Sequence, residues 1–337
     1  MDFAYYVGWD VSKASLNFCI RDPQQSEPVQ EGQVANTPTA IGKLLRQWSK
    51  RWETDLAAFA HCVENTGRYT YPLLGLVEPL GLHLWMEDPL QLKRSMGRQK
   101  RKTDAVDARN IAEYCRWKHE RATWYTPPSA LSLHLRELSH SRTKLVRMRQ
   151  SLHTSHRAKE AFALVPPNAV GQRLNCQLIE AIDQQLAALD LEILRLIEAD
   201  ERARRKLEIA RSVPGIGPKN VVVILAITGL FERIASARAC AAYAGLVPYE
   251  FQSGTSIHRR SRVSRAVSKP LKTALHQGAQ FLIMRPSPFK ELYDRLRAKG
   301  RTYRQAINAV RNKMIRVLYT CLKKDVTYDK KVHAGLA

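Results

Sequence analysis

The chain has 337 residues, long enough for two or three domains with real cores. Its 54 Lys and Arg outnumber 31 Asp and Glu, a formal net charge of +23, and such a surplus points to a polyanionic partner, nucleic acid ahead of an anionic membrane. No run approaches the roughly 20 apolar residues that a membrane span needs. The opening MDFAYYVGWD carries an acid and no basic stretch, unlike a secretory signal. Six cysteines (Cys19, Cys62, Cys115, Cys176, Cys240, Cys321) are scattered, with no CxxC pair and no histidine at zinc-ligand spacing. Buried reduced thiols in a cytoplasmic protein are therefore expected, in place of disulfides or structural zinc.

The first hundred residues read as mixed α/β. AYYVGWD (4–10) and LNFCIRD (16–22) are strand-like runs about a polar turn, and VQEGQVAN (29–36) alternates weakly as a third strand. IGKLLRQWSKRW (41–52) has helical spacing, LAAFAHCVE (56–64) reads as a buried strand, TYPLLGLVEPLG (70–81) as a helix ending at a glycine, and LHLWMED (82–88) as a strand. That succession is the order of an RNase H-like sheet. After WYTPPS, Leu131, Leu138, Leu145 and Leu152 recur every seven residues. Beyond a break at VPPNAVG (165–171), Ile182, Leu186, Leu189, Ile193 and Leu196 follow at spacings of four and three. This heptad signal predicts a helical hairpin or an oligomeric coiled coil, or else two amphipathic helices packed on their own domain. In SVPGIGPKNVVVILAITG (212–229) a Gly-x-Gly turn, Gly215 and Gly217, separates two helical runs, with Pro218 near the first helical position and Lys219 beside it. Such a turn is helix-hairpin-helix-like and offers backbone N–H groups to a phosphate, although a plain tight turn has the same spacing. The stretch SGTSIHRRSRVSRAVSKPLK (253–272) is dense in Ser and Arg and is expected to stay unburied, and helices are expected near 273–283 and 301–322. The fold class is α/β plus α, with an RNase H-like N-terminal part and a mostly helical remainder.

The segment RKTDAVDAR (101–109) poses a chemical question, because a basic run stops at two aspartates three residues apart. On a helix Asp104 and Asp107 share a face, with Cβ atoms about 5–6 Å apart. Such a pair is either a solvated acidic first turn or a place where a cation sits. In an RNase H-like frame, metal-binding acids stand on the first strand, at the end of the fourth and on a later helix. Asp10 closes the first strand here, Glu64 closes the AAFAHCVE strand, and Asp104 and Asp107 begin the helix after the basic run. Alone, Asp10 reads equally well as a turn residue and Glu64 as a capping acid. Four carboxylates suit two hard divalent cations, magnesium or manganese in its place. Lys100, Arg101 and Lys102 would then hold the phosphate backbone of the scissile strand.

The set WDVSK, ENTGRY, KTDAVDAR, VPGIG, AYAGLVP and FQSGTS, in this order, resembles the transposases of insertion-sequence family 110, with its 1111 subgroup and related DNA invertases. The resemblance runs from about residue 5 to 325. It implies a RuvC-like RNase H-fold domain (1–125) bearing a DEDD tetrad, coiled-coil or linker helices (126–205), and a C-terminal transposase domain (206–337). It implies a serine recombinase in which Asp10, Glu64, Asp104 and Asp107 hold magnesium and Ser253 is the nucleophile, Ser256 being its rival if the register slips. Serine activation by the metal site would require the two domains to meet, within one subunit or across subunits. Asn65 departs from the small residue usual between the Glu and the TG pair. Donor and target DNA, a noncoding guide (bridge) RNA, a homo-oligomer (dimer or tetramer) and a bacterial cytoplasmic, nucleoid-associated location also follow from the resemblance. Arg259, Arg260, Arg262 and Arg265 are the choice for local backbone contacts, against a basic loop that binds nothing in particular. Two other readings stand beside it: a RuvC-like hydrolytic resolvase with water as nucleophile, and a non-catalytic nucleic-acid-binding protein.

Overall fold

The computed structural model describes residues 3–95, 103–162, 168–253, 257–263 and 267–329. By contacts the chain divides into two compact units, 1–127 and 128–337.

Unit one is a five-stranded sheet of order β3-β2-β1-β4-β5. Its strands are β1 (Tyr5–Val11), β2 (Ser15–Arg21), β3 (Gln30–Ala35), β4 (Phe59–Glu64) and β5 (His83–Glu87). β1 pairs antiparallel with β2 and parallel with β4, β2 pairs antiparallel with β3, and β4 pairs parallel with β5. Three antiparallel strands followed by two parallel ones in this order are the RNase H-like arrangement that the succession of elements predicts. The central strands are apolar on both faces because each face is covered. Helix α1 (Pro38–Arg51) starts at Thr37, whose side chain accepts from the Ala40 N–H, and buries Ile41, Leu45 and Trp48. With Val7, Trp9 and Phe59 these form the core of one face. The opposite face carries α4 (Asp104–Lys118), with Ile111 and Cys115 packed among Tyr6, Ala60 and Trp85.

The helix expected over 70–81 shrinks to α2 (Tyr71–Leu74) and a series of turns ending at Gly81, which has φ 61°. Pro79 has no N–H to continue a helix, yet Leu73, Leu74 and Val77 stay buried, so the apolar pattern is kept without the helix. A short α3 (Pro89–Ser95) follows β5.

Unit two is helical but for one ribbon. Helices α5 (Ala130–Phe162) and α6 (Ala169–Ala199) pack as an antiparallel pair. Arg142 meets Asp190 at 2.6 Å and Arg149 meets Asp183 at 2.6 Å, so two turns forward on one helix match two turns back on the other. The heptads therefore describe a hairpin folded within the chain. At its root Leu135, Ile193 and Ile197 join the core of α7 (Glu201–Ser212) and α8 (Pro218–Thr228). The same core takes in α9 (Ala237–Tyr243), α10 (Lys269–Ile283), α11 (Pro288–Ala298) and α12 (Tyr303–Lys324). Where the sequence suggests only an unburied basic stretch, β6 (Pro248–Ser253) and β7 (Ile257–Val263) pair antiparallel. The run HRRSR within β7 has no apolar alternation of the kind by which a strand is read. Five cysteines are buried as expected, whereas Cys176 is exposed on α6. No described helix is long and apolar enough to cross a membrane.

Two predictions follow from unit one. A Cβ on Gly8 would stand 2.2 Å from the Ala112 nitrogen and 2.3 Å from the Ala108 carbonyl oxygen. Gly8→Ala must therefore lift α4 from the sheet, and a thermal melt should show destabilisation of about 1–3 kcal/mol or more. Buried His61 accepts from Trp9 Nε1 at 3.2 Å, and burial, helped by His83, holds its pKa down to about 3. The folded-state value lies below the ordinary 6.5, so the stability contributed by neutral His61 is complete above pH 6.5 and is lost as pH falls toward 3. Between pH 6 and 4 the wild type should lose up to about 1.4 kcal/mol per pH unit from this group. Denaturant titrations across that range should be measurably flatter in His61→Gln.

Candidate active site

The site begins with alternation along β1. Val7 and Trp9 face α1, and Tyr6 and Gly8 face α4. Asp10, two residues beyond Gly8, therefore falls on the α4 face. β4 runs parallel to β1 with Gly8 level with Cys62 and Trp9 level with Val63, so Asp10 comes level with Glu64 where both strands end. The two carboxylates thus leave adjacent strand ends on one face of the sheet, each partly exposed. After Glu64, the Asn65 carbonyl oxygen of the side chain accepts from the Gly67 N–H at 3.3 Å, while the Asn65 N–H donates to the Glu87 carbonyl at 3.0 Å. Asn65, the departure from the family pattern, has a structural task in this turn.

The second pair of acids comes from the start of α4. Thr103 caps the helix by accepting from the Val106 N–H, Asp104 is the first helical residue and Asp107 stands one turn further on. Ala108 and Ala112 rest against Gly8, and Cys115 Sγ donates to the Ala60 carbonyl at 3.5 Å, level with Tyr6. The helix therefore runs antiparallel to β1, and stepping back from Ala112 to Asp104 moves toward Asp10. The far side of α4 is tied to the sheet edge: Arg109 forks onto Glu31 of β3, Arg21 pairs with Glu113 at 2.9 Å, and Arg116 donates to the Pro23 carbonyl at 2.6 Å. Hydrogen bonds from Arg109 hold the Glu31 carboxyl below its ordinary range. Asp104 is exposed and Asp107 partly so, as suits groups that meet a ligand from solvent.

All four donors are carboxylate oxygens, the set that magnesium takes. Among the described residues no group of three or more His, Cys, Asp or Glu is gathered closely enough to hold a metal ion. The strand ends and helix turn share one side of the sheet, and the donor chemistry fits a hard cation. Lys100, Arg101 and Lys102 lie outside the described residues. The residues that sequence reading overlooked are Gly8 and Glu31. A glycine inside an otherwise apolar strand is the signal of close backbone approach that would have pointed to Gly8; nothing in the sequence singles out Glu31.

In unit two, Gly215 takes φ 82° between α7 and α8 and backs onto Gly278 of α10, where a Cβ would stand 2.3 Å from the Gly215 carbonyl oxygen. Gly215 is thus fixed by packing and conformation. Gly217 is the N-cap of α8 with open space where a Cβ would be, and Lys219 is exposed in the first turn. That face of the turn leaves room for a phosphate. Ser253 is the last residue of β6, level with Ile257 of β7. Ser256 and Arg265 lie outside the described residues. Arg259, Arg260 and Arg262 lie within β7.

Two family models match in succession and between them take up most of the chain. The first, a transposase model, covers residues 7–161, and the second, described as Transposase IS116/IS110/IS902 family, covers 207–294. The chain is similar to the pilin gene-inverting protein of Moraxella lacunata, 24% identical over 97% of this chain and 98% of that one. It is 33% identical to an uncharacterized 43.6 kDa protein of insertion element IS110 from Streptomyces coelicolor, over 47% of this chain and 38% of that protein. It is 26% identical to the transposase for insertion sequence element IS1111A of Coxiella burnetii, over 51% and 46%. An overlay on T. thermophilus RuvC in complex with a Holliday junction substrate, at 13% identity over 36% of this chain, reaches a TM-score of 0.27, too low to add to the strand order described above. With both models drawn from one family and matched in chain order, this protein belongs to the insertion-sequence 110 family of transposases, enzymes that act on DNA.

Proposed function

We propose that the protein cuts and rejoins donor and target DNA through a covalent serine–DNA intermediate, assisted by the acidic set Asp10, Glu64, Asp104 and Asp107. The observation that supports this reading best is the placing of the acids: Asp10 and Glu64 level on adjacent parallel strands, with the first turn of α4 held on the same face. Full-length similarity to proteins named for inverting a pilin gene adds a rearrangement that requires strands to be rejoined as well as cut.

In this reading the Ser253 hydroxyl attacks a phosphodiester. The Oγ–P bond forms as the bond from phosphorus to one sugar oxygen breaks; the hydroxyl proton passes to a base and the departing sugar oxygen takes one up. The phosphoserine link conserves the bond for rejoining, when the sugar hydroxyl of another strand attacks phosphorus and Ser253 leaves. Asp10, Glu64, Asp104 and Asp107 would hold magnesium, which when bound stabilises charge on phosphate oxygens as a Lewis acid. Lys100, Arg101 and Lys102, which precede the acids, contact the phosphate backbone, and so do Gly217 and Lys219 at the start of α8 and Arg259, Arg260, Arg262 and Arg265 after the nucleophile. A noncoding RNA that selects the DNA by base pairing, assembly as a dimer or tetramer, and work at the nucleoid in the cytoplasm complete the proposal; the net charge of +23 suits a protein with several nucleic-acid ligands.

The test is covalent trapping. Wild type, Ser253→Ala, Ser256→Ala and Asp107→Ala are incubated with the element's flanking RNA, end-labelled DNA and magnesium, then resolved on a denaturing gel. A protein–DNA adduct is expected in wild type and Ser256→Ala, absent in Ser253→Ala and reduced roughly 100-fold or more in Asp107→Ala. Cleavage without adduct, undiminished in Ser253→Ala, would establish hydrolysis by water in place of serine recombination. In parallel, Asp104→Asn should keep DNA binding in a gel-shift assay while losing cleavage; unchanged cleavage would remove Asp104 from the site.

A further inference from the structure

One cleft in unit two has no part in the chemistry above. It has a volume of about 620 Å³ and lies between the middle of α5, the end of α9 and the start of α10. Arg136, His140, Lys144 and Arg147 line it from α5, and Tyr243 and Lys269 stand on the opposite wall. Spacings of four, four and three place the α5 side chains on one face of the helix, along about 16 Å of its axis. All four are exposed, and no carboxylate lines the cleft.

The neighbouring face of the same helix shows what a structural arginine looks like here. Arg142 and Arg149 are matched by Asp190 and Asp183 of α6. Among the described residues, Arg136, Lys144 and Arg147 have no such acid. A row of lysines and arginines on a lone helix is ordinarily a solvated surface. This row instead faces a wall that adds another cationic group, Lys269, and the first turn of α10, which Ser268 leaves without a side-chain cap. Tyr243 is 43% exposed at the lip, with its hydroxyl donating to the Ile227 carbonyl at 3.4 Å, which fixes its place.

We propose that this cleft holds a single strand of DNA by its phosphodiester backbone, with Tyr243 as the surface on which a base stacks. A cationic furrow combined with an exposed aromatic is the recurring means of holding one strand, and steps of about 5–6 Å along the axis between successive side chains of the row suit consecutive backbone groups. A cut strand has to leave its duplex before it joins another partner, so an enzyme that exchanges strands has such a ligand at hand. The inference rests on the DNA-acting reading of the protein and goes beyond it in assigning a strand-holding site to α5, α9 and α10.

The experiment measures equilibrium binding of the full chain to labelled oligothymidylate, to oligouridylate and to duplex DNA over a range of salt, without magnesium, so that no turnover enters. Compared are wild type, the cleft variant Arg136→Gln/Lys144→Gln/Arg147→Gln, a control of equal charge on α1 (Lys43→Gln/Arg46→Gln/Lys50→Gln), and Tyr243→Ala, each checked for folding by thermal melt. The cleft variant should lower the slope of log affinity against log salt for oligothymidylate by roughly 2. Tyr243→Ala should weaken oligothymidylate about tenfold and leave the duplex unaffected. An equal change of slope in the α1 control, an equal loss on duplex DNA, or a loss confined to oligouridylate would each overturn the proposal. Because cutting is not read, failure of the serine chemistry would leave this result standing, and the reverse also holds.

Discussion

The contact between Gly8 and the backbone of α4 governs everything else in unit one. There is no room for even a methyl group between β1 and the helix at Ala108 and Ala112. That closeness lets a fifteen-residue helix lie flat on the central strand. The start of the helix is thereby carried to the strand end where Asp10 and Glu64 emerge. A larger residue would not merely loosen packing; it would move the start of α4, with Asp104 and Asp107, away from the strand ends. Arg109 on Glu31 and Arg21 on Glu113 set the helix from its other side, so its position is fixed in two directions by very different forces. Contact excludes displacement at the centre, and charge-assisted hydrogen bonds limit rotation at the rim.

Unit two uses the same economy of space at another point. Gly215 and Gly278 bring a turn and a helix into backbone contact, and the turn can present Gly217 and Lys219 outward because its inner side is locked. Charge is sorted just as definitely. Arginines that hold α5 to α6 are matched one for one with aspartates, whereas among the described residues Arg136 and Arg147 of the cleft have no such acid and belong to the surplus behind the net charge. Paired arginines build the scaffold, and the unpaired ones are available to phosphate, which is how one very basic chain can be both stable and adhesive to nucleic acid.

Much of this was legible in the residues. Alternation and apolar runs announced the five strands and α1, because each buries a face with a regular period. Two aspartates three residues apart after a basic run announced the start of α4, and heptad spacing announced α5 and α6. What failed has physical reasons. Residues 70–81 carry a helical apolar pattern, but Pro79 withholds a backbone donor, and turns bury the same side chains. β6 and β7 pair through their backbones, and the basic run HRRSR in β7 carries no apolar alternation to betray it.

The sequence by itself determined the order of the strands in unit one, the membership of Asp10, Glu64, Asp104 and Asp107 in strand ends and a helix start, and the surplus of positive charge, because these depend on local period and composition. Only the tertiary structure decided that Asp10 stands level with Glu64, that α4 runs antiparallel to β1 above them, and that Arg136, His140, Lys144 and Arg147 of α5 face a wall. Register, helix direction and the closing of a cleft arise from contacts between residues far apart in the chain. Local pattern carries no record of them, and a glycine without a side chain fixes the place of α4 as firmly as any charged group.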